Sequence, residues 1–339
     1  MDTFSILSRL TGAPGVAGQA EIAELCAELF APYCTRVETH RGSVLCHIDA
    51  GAERTLMFDA HLDEIGLVVR HIDDDGFLGI AKCGGVDVRT LPGGLFTVWG
   101  KQPIPAVICV KPPHLAKKNE ELPAIDDMYL DAGLDKTAVS DMVSPGDPVT
   151  AVSPLCRLGE DFVSGKALDD RAGVMALLLA AERLHTAGKL PVNVTFLLSA
   201  EEELNCRGAG VAAFKQMPDE CVAVDVSFAV SPGVPEHKAG ELGRGPMIGI
   251  SPTLNAAITG KLLGLCESQD IPFQREVMGG KTSTNADVIA LAQSGIPTGL
   301  VSIPLRNMHT PAETVSLRDI GLTADLLCAY AQNGGMAND

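Results

Sequence analysis

Apolar residues recur along this chain with two different periods, and the places where the period changes divide it. Residues 2–11 read as a short amphipathic helix that Thr11-Gly-Ala-Pro-Gly15 stops. In residues 19–31, Ile22, Leu25, Leu29 and Phe30 fall at helical spacing. Residues 34–48 predict two strands around a turn at Arg41-Gly42, and the compact run Arg54-Thr-Leu-Met-Phe-Asp-Ala60 predicts a buried strand. From Gly66 to about Gly159 short strands alternate with Gly, Pro and Asp turns: Leu67–Ile72, Phe77–Lys82, Leu95–Trp99 and Ile104–Val110. Long helical patterns are absent there, and the polar stretch 117–128 reads as a mobile loop.

The helical period returns after Gly165. Val174, Leu177, Leu178, Ala181 and Leu184 predict a helix from Asp170 to Thr186. Strands at Val192–Ser199, Cys221–Val226 and 298–303 then alternate with helices at Ala209–Met217, 254–269, 284–294 and 318–333. Such alternation predicts a three-layer α/β/α domain built from residues 1–65 and 160–339, with a small β-rich domain, 66–159, inserted into it.

Polar groups at the ends of these strands carry the candidate chemistry. His61 and Asp63 follow the strand that ends near Ala60, at the C-terminal edge where open α/β sheets place ligands. Asp169 and Asp170 stand at the mouth of the long helix, Glu201-Glu-Glu203 follows an apolar strand, Asp225 ends another, and His309 follows a fourth. Each has a plain structural reading: carboxylates cap helices, and three glutamates are usually a solvated face. Together they amount to a histidine, a shared carboxylate, a glutamate pair, an aspartate and a second histidine, the inventory of a two-metal hydrolase. Imidazole mixed with carboxylate suits Zn, Co or Mn. Two adjacent glutamates raise one another's pKa unless a cation intervenes, and a raised pKa suits a general base.

Composition narrows the possibilities. With a net charge of -17, the chain has no basic surplus to neutralise phosphates, which argues against a nucleic-acid partner. The longest apolar run, Val174 to Ala181, is too short to cross a bilayer, and the N-terminus is not a signal peptide. Ten cysteines occur without a Cys-x-x-Cys pair; most read as buried thiols of a reducing compartment, and a cytoplasmic protein is expected. A glycosidase would need two carboxyls across a sugar bond, but one Trp and three Tyr supply little for a sugar-stacking cleft. A catalytically impaired protein with a binding role is the other alternative.

The chain resembles the M42 family of metallo-aminopeptidases, whose members also carry the names glutamyl aminopeptidase and endoglucanase. The matching pieces include His61-Leu-Asp-Glu-Ile-Gly-Leu-Val-Val, Gly165-Lys-Ala-Leu-Asp-Asp-Arg, Ala223-Val-Asp-Val-Ser and Ser302-Ile-Pro-Leu-Arg-Asn-Met-His-Thr-Pro-Ala-Glu313, in order along nearly the whole chain. The resemblance implies a zinc-exopeptidase-like catalytic domain and a PDZ-like insert. It implies one metal held by His61 and Asp225, another by Glu203 and His309, and Asp169 bridging. It makes Glu202 the general base, because the family's arginine lies five residues after the first glutamate of the working pair and Arg207 selects Glu202 over Glu201. Asp63 would orient His61. Short peptides are the implied substrates, with two zinc, cobalt or manganese ions as cofactors and a large homo-oligomer, often a dodecamer, as the assembly. Asn205, Asn285 and Asn307 depart from the family pattern, at positions the resemblance places around the substrate pocket. Arg275, Lys281 and Arg306 are candidate cations for an acidic substrate.

Overall fold

The computed structural model describes residues 2–16, 19–112, 114–115 and 123–336. Of the stretch 117–128 expected to be a loop, residues 117–122 lie outside the described residues, and Ile125–Asp127 forms a short 3-10 helix.

One large mixed sheet carries the fold. Its main path runs Arg36–His40, Ser43–Ile48, Asn193–Ser199, Thr55–His61, Glu220–Phe228, Thr298–Arg306, Glu313–Ser316, Phe162–Gly165 and Cys156–Leu158. Met247–Ile250 pairs off Thr298–Arg306, and Gln274–Val277 pairs with Met247–Ile250. The four central strands are parallel, so their C-terminal ends open on one edge. Their almost continuous burial follows from helices on both faces. Thr3–Gly12, Ala20–Phe30, Leu168–Ala187, Ala256–Ser268 and Leu317–Gln332 pack one face in a single core. Arg207–Gln216 and the short helix Ala286–Ile289 cover the other.

Leu168–Ala187 is the central prop. Fifteen of its 20 residues are buried, so it has no solvent stripe, and its start cannot shift without disturbing the core. Each of its buried Val, Leu and Met side chains contributes about 1.5–3 kcal/mol of burial. Phe196, on the sheet, meets that layer with its ring tilted against those of Phe30 and Phe58, each centroid 5.8 Å away.

The insert closes on itself. Gly66–Ile72, Leu78–Cys83, Tyr129–Asp131, Pro103–Ile108, Leu95–Trp99 and Pro148–Ala151 form a six-stranded barrel with its own apolar core. Closure leaves no sheet edge to pair with strangers. A short helix, Lys136–Met142, also packs there, capped by Asp135, whose carboxylate accepts from the amide of Ala138 at 2.8 Å.

Two expectations need correction. The helix expected over 284–294 is only Ala286–Ile289: beyond it the amides of Leu291 and Ala292 bond three residues back, to Val288 and Ile289, and Gln293 (φ 56°) and Gly295 (φ 101°) then turn the chain. Of the ten unpaired thiols, five are buried; Cys109 and Cys156 are exposed, the latter on an edge strand with an outward face. Among the described residues no helix is long and apolar enough to cross a membrane.

Candidate metal centre

The C-terminal edge of the parallel strands gathers the sequence-predicted groups. His61 ends Thr55–His61, and Asp225 lies near the end of Glu220–Phe228. Glu202 and Glu203 lie in the turn after Asn193–Ser199, and His309 in the turn after Thr298–Arg306. Asp169 projects from the foot of the buried helix. Its Oδ1 is 3.0 Å from His61 Nε2 and its Oδ2 is 3.3 Å from His309 Nε2, so one carboxylate spans both imidazoles. Glu203 Oε1 is 3.2 Å from the same His309 nitrogen. His61, Asp170 and Asp225 bring ligand atoms within 4.8 Å of one another, as do His61, Asp169 and Glu203.

The other ring nitrogen of each histidine is engaged. His61 Nδ1 is 3.2 Å from the carbonyl of Asp63, and His309 Nδ1 is 3.1 Å from the carbonyl of Gly85. A proton held on Nδ1 leaves Nε2 free as a ligand. Tetrahedral bonds of about 2.0–2.1 Å put ligand atoms about 3.3 Å apart, which matches these contacts.

The adjacent aspartates divide two roles. The chain is not helical at either residue, and the peptide between them is cis. Asp169 faces the histidines. Asp170 accepts from the amide of His61 at 3.2 Å and from that of Gly173 at 3.1 Å, so it caps the helix and fixes the strand end together. A side chain at 173 would strike that carboxylate, since a Cβ there would sit 2.5 Å from Asp170 Oδ1.

Charge makes the case for cations. Burial, and next the neighbouring Asp169, push Asp170 and Glu313 well above the carboxylate range, Asp170's amide and histidine contacts notwithstanding. Burial and Asp170 do the same to Asp225, and burial with the Glu203 charge raises Glu202. Burial alone would raise Asp169 too, but His309 and His61 hold it below the usual range. His309 is pushed up to about 11 by Asp169 and Glu203. The nearby cations are committed elsewhere. Buried Lys166 pairs with Glu64 at 2.7 Å, and Arg171 donates to the carbonyls of Leu10 and Ala13. A buried carboxylate surplus interleaved with imidazoles is a donor set that divalent ions fit.

The three glutamates separate. The strand ends at Ser199, and Glu201 takes a left-handed turn (φ 59°). Glu201 pairs outward with Arg207 at 3.4 Å. The turn lets Glu202 and Glu203 both approach the cluster, which strand alternation would forbid. Asp63 holds it: Oδ1 accepts from the amide of Glu202 at 3.0 Å and Oδ2 from that of Glu203 at 3.2 Å. Asp63 Oδ1 is also 3.4 Å from His61 Nδ1. Glu202 Oε1 accepts from the Cys206 thiol at 3.3 Å.

Sequence reasoning missed two supports. Glu313 is buried and bidentate, its Oε2 accepting from the amide of Asp169 at 3.1 Å and its Oε1 from that of His309 at 2.9 Å. It stood at the end of a matched motif, but nothing local signalled its role. Gly85 belongs to the barrel insert, so only the tertiary fold brings it to His309. A pocket opens beside the cluster, lined by Ile65, Val86, Leu91 and Phe96 together with Asp169, Glu203 and His309.

The three asparagines do not share one location. Asn205 (φ 74°) and Asn307 (φ 58°) are exposed in the left-handed region, which asparagine tolerates nearly as glycine does. Asn285 is buried, and its Nδ2 donates to Asp59 Oδ2 at 2.9 Å and to Ser199 Oγ at 2.8 Å. It lies in the protein beneath the site. An aspartate at 285 would set two buried carboxylates against each other.

The sequence matches the family model described as M42 glutamyl aminopeptidase over residues 42–326. It is 30% identical to the lysyl aminopeptidase of Pyrococcus furiosus, over 98% of this chain and 97% of that one. The fold is similar to that of aminopeptidase APDkam598 from the archaeon Desulfurococcus kamchatkensis, with a TM-score of 0.91, 31% identity, and 98% and 94% of the two chains covered. It is also similar to the TET1 peptidase of Pyrococcus horikoshii, described as able to assemble into a tetrahedron or a large octahedral shell, with a TM-score of 0.87, 29% identity, and 97% and 99% covered.

Proposed function

The chain belongs to the M42 glutamyl aminopeptidase family, and from that premise we propose the site residues, ions and assembly of a metal-dependent aminopeptidase that removes N-terminal residues from short peptides. The protein is a hydrolase acting on peptides. The observation that carries the site assignment is the Asp169 carboxylate shared between two imidazoles at 3.0 and 3.3 Å. His61 and Asp225 would hold one ion and Glu203 and His309 the other, with Asp169 shared between them. Zinc or cobalt fits this donor set best, with manganese next.

Bound divalent ions supply Lewis acidity and bring the pKa of a water towards about 7. Glu202 takes the proton of the attacking water and returns it to the leaving amine. Its raised pKa, set first by burial, suits that exchange. Asp63 keeps Glu202 and Glu203 in register through their amides. The wall of Ile65, Val86, Leu91 and Phe96 excludes water from one side of the reacting bond.

The catalytic unit is residues 1–65 and 160–339, joined by the edge strand Cys156–Leu158 that pairs into its sheet. The barrel between them supplies one wall of the pocket and the acceptor for His309. Similarity to the TET1 peptidase, described both as a dodecamer and as forming a tetrahedron or a large octahedral shell, supports a large closed homo-oligomer, with twelve subunits the state we favour. Ten unpaired thiols suit a reducing cytoplasm. A glycosidase would have no use for two histidines between its carboxylates, and a merely binding protein none for the full ligand set.

The test uses amino-acid p-nitroanilides and carboxymethylcellulose, each before and after chelation. Hydrolysis of the anilides that EDTA abolishes and cobalt or zinc restores is expected. Full activity in a verified metal-free preparation would end this reading.

A further inference from the structure

Two of the three candidate cations for an acidic substrate, Arg275 and Arg306, are engaged elsewhere. Arg275 faces Glu267 at 3.6 Å and stacks 5.3 Å from the Phe273 ring centroid. Arg306 Nε donates to the carbonyl of Val230 at 2.8 Å, Lys281 is exposed, and Lys166 is tied to Glu64. A carboxylate stands in the opposite situation. Glu276, on Gln274–Val277, accepts from Ser302 Oγ at 2.7 Å with one oxygen and from Ser227 Oγ with the other. Both serines are nearly or fully buried, so the carboxylate is held in a fixed orientation. Among the described residues no lysine or arginine pairs with it.

Its place in the sheet puts it beside the metal centre. Ser302 is the register partner of Asp225, and neighbours in register project to the same face. Ala223 and Leu300 pack with Met278 in one apolar cluster on that face. Two residues along each strand, alternation places Asp225 and Ser302 beyond Ala223 and Leu300, and Glu276 beyond Met278. Ser227 continues the row. Two hydroxyls use one lone pair on each oxygen and leave the rest to accept from a ligand. An anion held rigidly and left without a cation is a receptor for one.

We infer that Glu276 reads the side chain of the substrate's N-terminal residue and selects lysine and arginine; this rests on the aminopeptidase reading above. The ammonium or guanidinium lies against the partly exposed Glu276 carboxylate while the scissile bond lies at the metal ligands. Acidic first residues are rejected by the same charge.

The experiment measures kcat/KM of metal-loaded enzyme on Lys-, Arg-, Leu- and Glu-p-nitroanilide, for wild type, Glu276→Gln and Glu276→Asp. Wild type should favour Lys and Arg over Leu by on the order of tenfold or more, with Glu lowest. Glu276→Gln keeps hydrogen bonds to both serines and removes only the charge. It should lose on the order of tenfold on Lys while Leu changes by less than about threefold and metal content stays the same. Glu276→Asp should recover part of the Lys preference. A role in tying the strand alone would leave the Lys-to-Leu ratio unmoved in Glu276→Gln, and that result overturns the inference. So does a wild-type preference for Leu or Glu. Cleavage of none of the anilides overturns the aminopeptidase reading itself, and this inference with it.

Discussion

Asp63 touches no proposed ion, yet three groups of the site depend on it: the ring of His61 and the amides of Glu202 and Glu203. Glu313 does the same for Asp169 and His309. In Glu313→Gln one oxygen becomes an NH2 that faces an amide N–H, so one contact turns repulsive. Metal affinity should fall about 10–100-fold, the usual cost of losing such a partner, measured by competition with a fluorescent chelator. An unchanged affinity would mean the ligands hold themselves in place. Glu202→Gln should behave in the opposite way. Both ions should remain by elemental analysis, while kcat drops by on the order of 10²–10⁴. Were Glu201→Gln the dead, fully metallated variant instead, the register of the glutamates is wrong by one. The sequence left that register ambiguous by local pattern, because three identical residues in a row carry no internal mark. The left-handed turn at Glu201 and its outward contact with Arg207 distinguish them in the fold.

At the scale of elements, the barrel takes part in the site. The carbonyl of Gly85 accepts from His309, and a Cβ at 85 would lie 2.5 Å from His309 Nδ1. Gly85→Ala must therefore displace the ring. We expect it to weaken one of the two ions and leave the other, with thermal unfolding of the metal-free protein within about a degree of wild type. Equal loss of both ions would show that the barrel supports the site as a whole. The long helices and central strands were legible because periods of 3.6 and 2 run over many residues. Short strands such as Glu313–Ser316 and Gln274–Val277 were not, since four residues carry too little pattern. The helix expected over 284–294 shrank to Ala286–Ile289 for a related reason: tight three-residue turns from Val288 onward replace the helical bonds that its apolar spacing suggested.

For the whole molecule, the buried carboxylate surplus links stability to metal. Ions that bind only the folded state stabilise it, each by about 2.7 kcal/mol at a hundredfold excess over Kd. Chelation should lower Tm by several degrees in scanning calorimetry, and zinc or cobalt should restore it. A Tm indifferent to chelator would argue against ions at this cluster. Assembly is tested by light scattering at micromolar concentration, where a particle near twelve subunits is expected. A lone monomer would reject the closed shell, and a dimer would reduce it to a building block.

The sequence by itself determined which residues are chemically unusual and on which strand ends they lie. His61, Asp169, Glu203, Asp225 and His309 stood out as candidates because ligand chemistry depends on residue type, and because strand ends are set by local hydrophobic pattern. It also determined the layered fold and the inserted β-rich segment. Only the tertiary structure shows Asp169 facing two imidazoles while Asp170 caps the helix and the strand end, because that depends on two histidines about 110 and 140 residues away in sequence, by the spacing of His61 and His309. The same holds for Gly85, Glu313 and Glu276. Their roles arise from contacts between elements distant along the chain, and no local period or motif encodes such a contact.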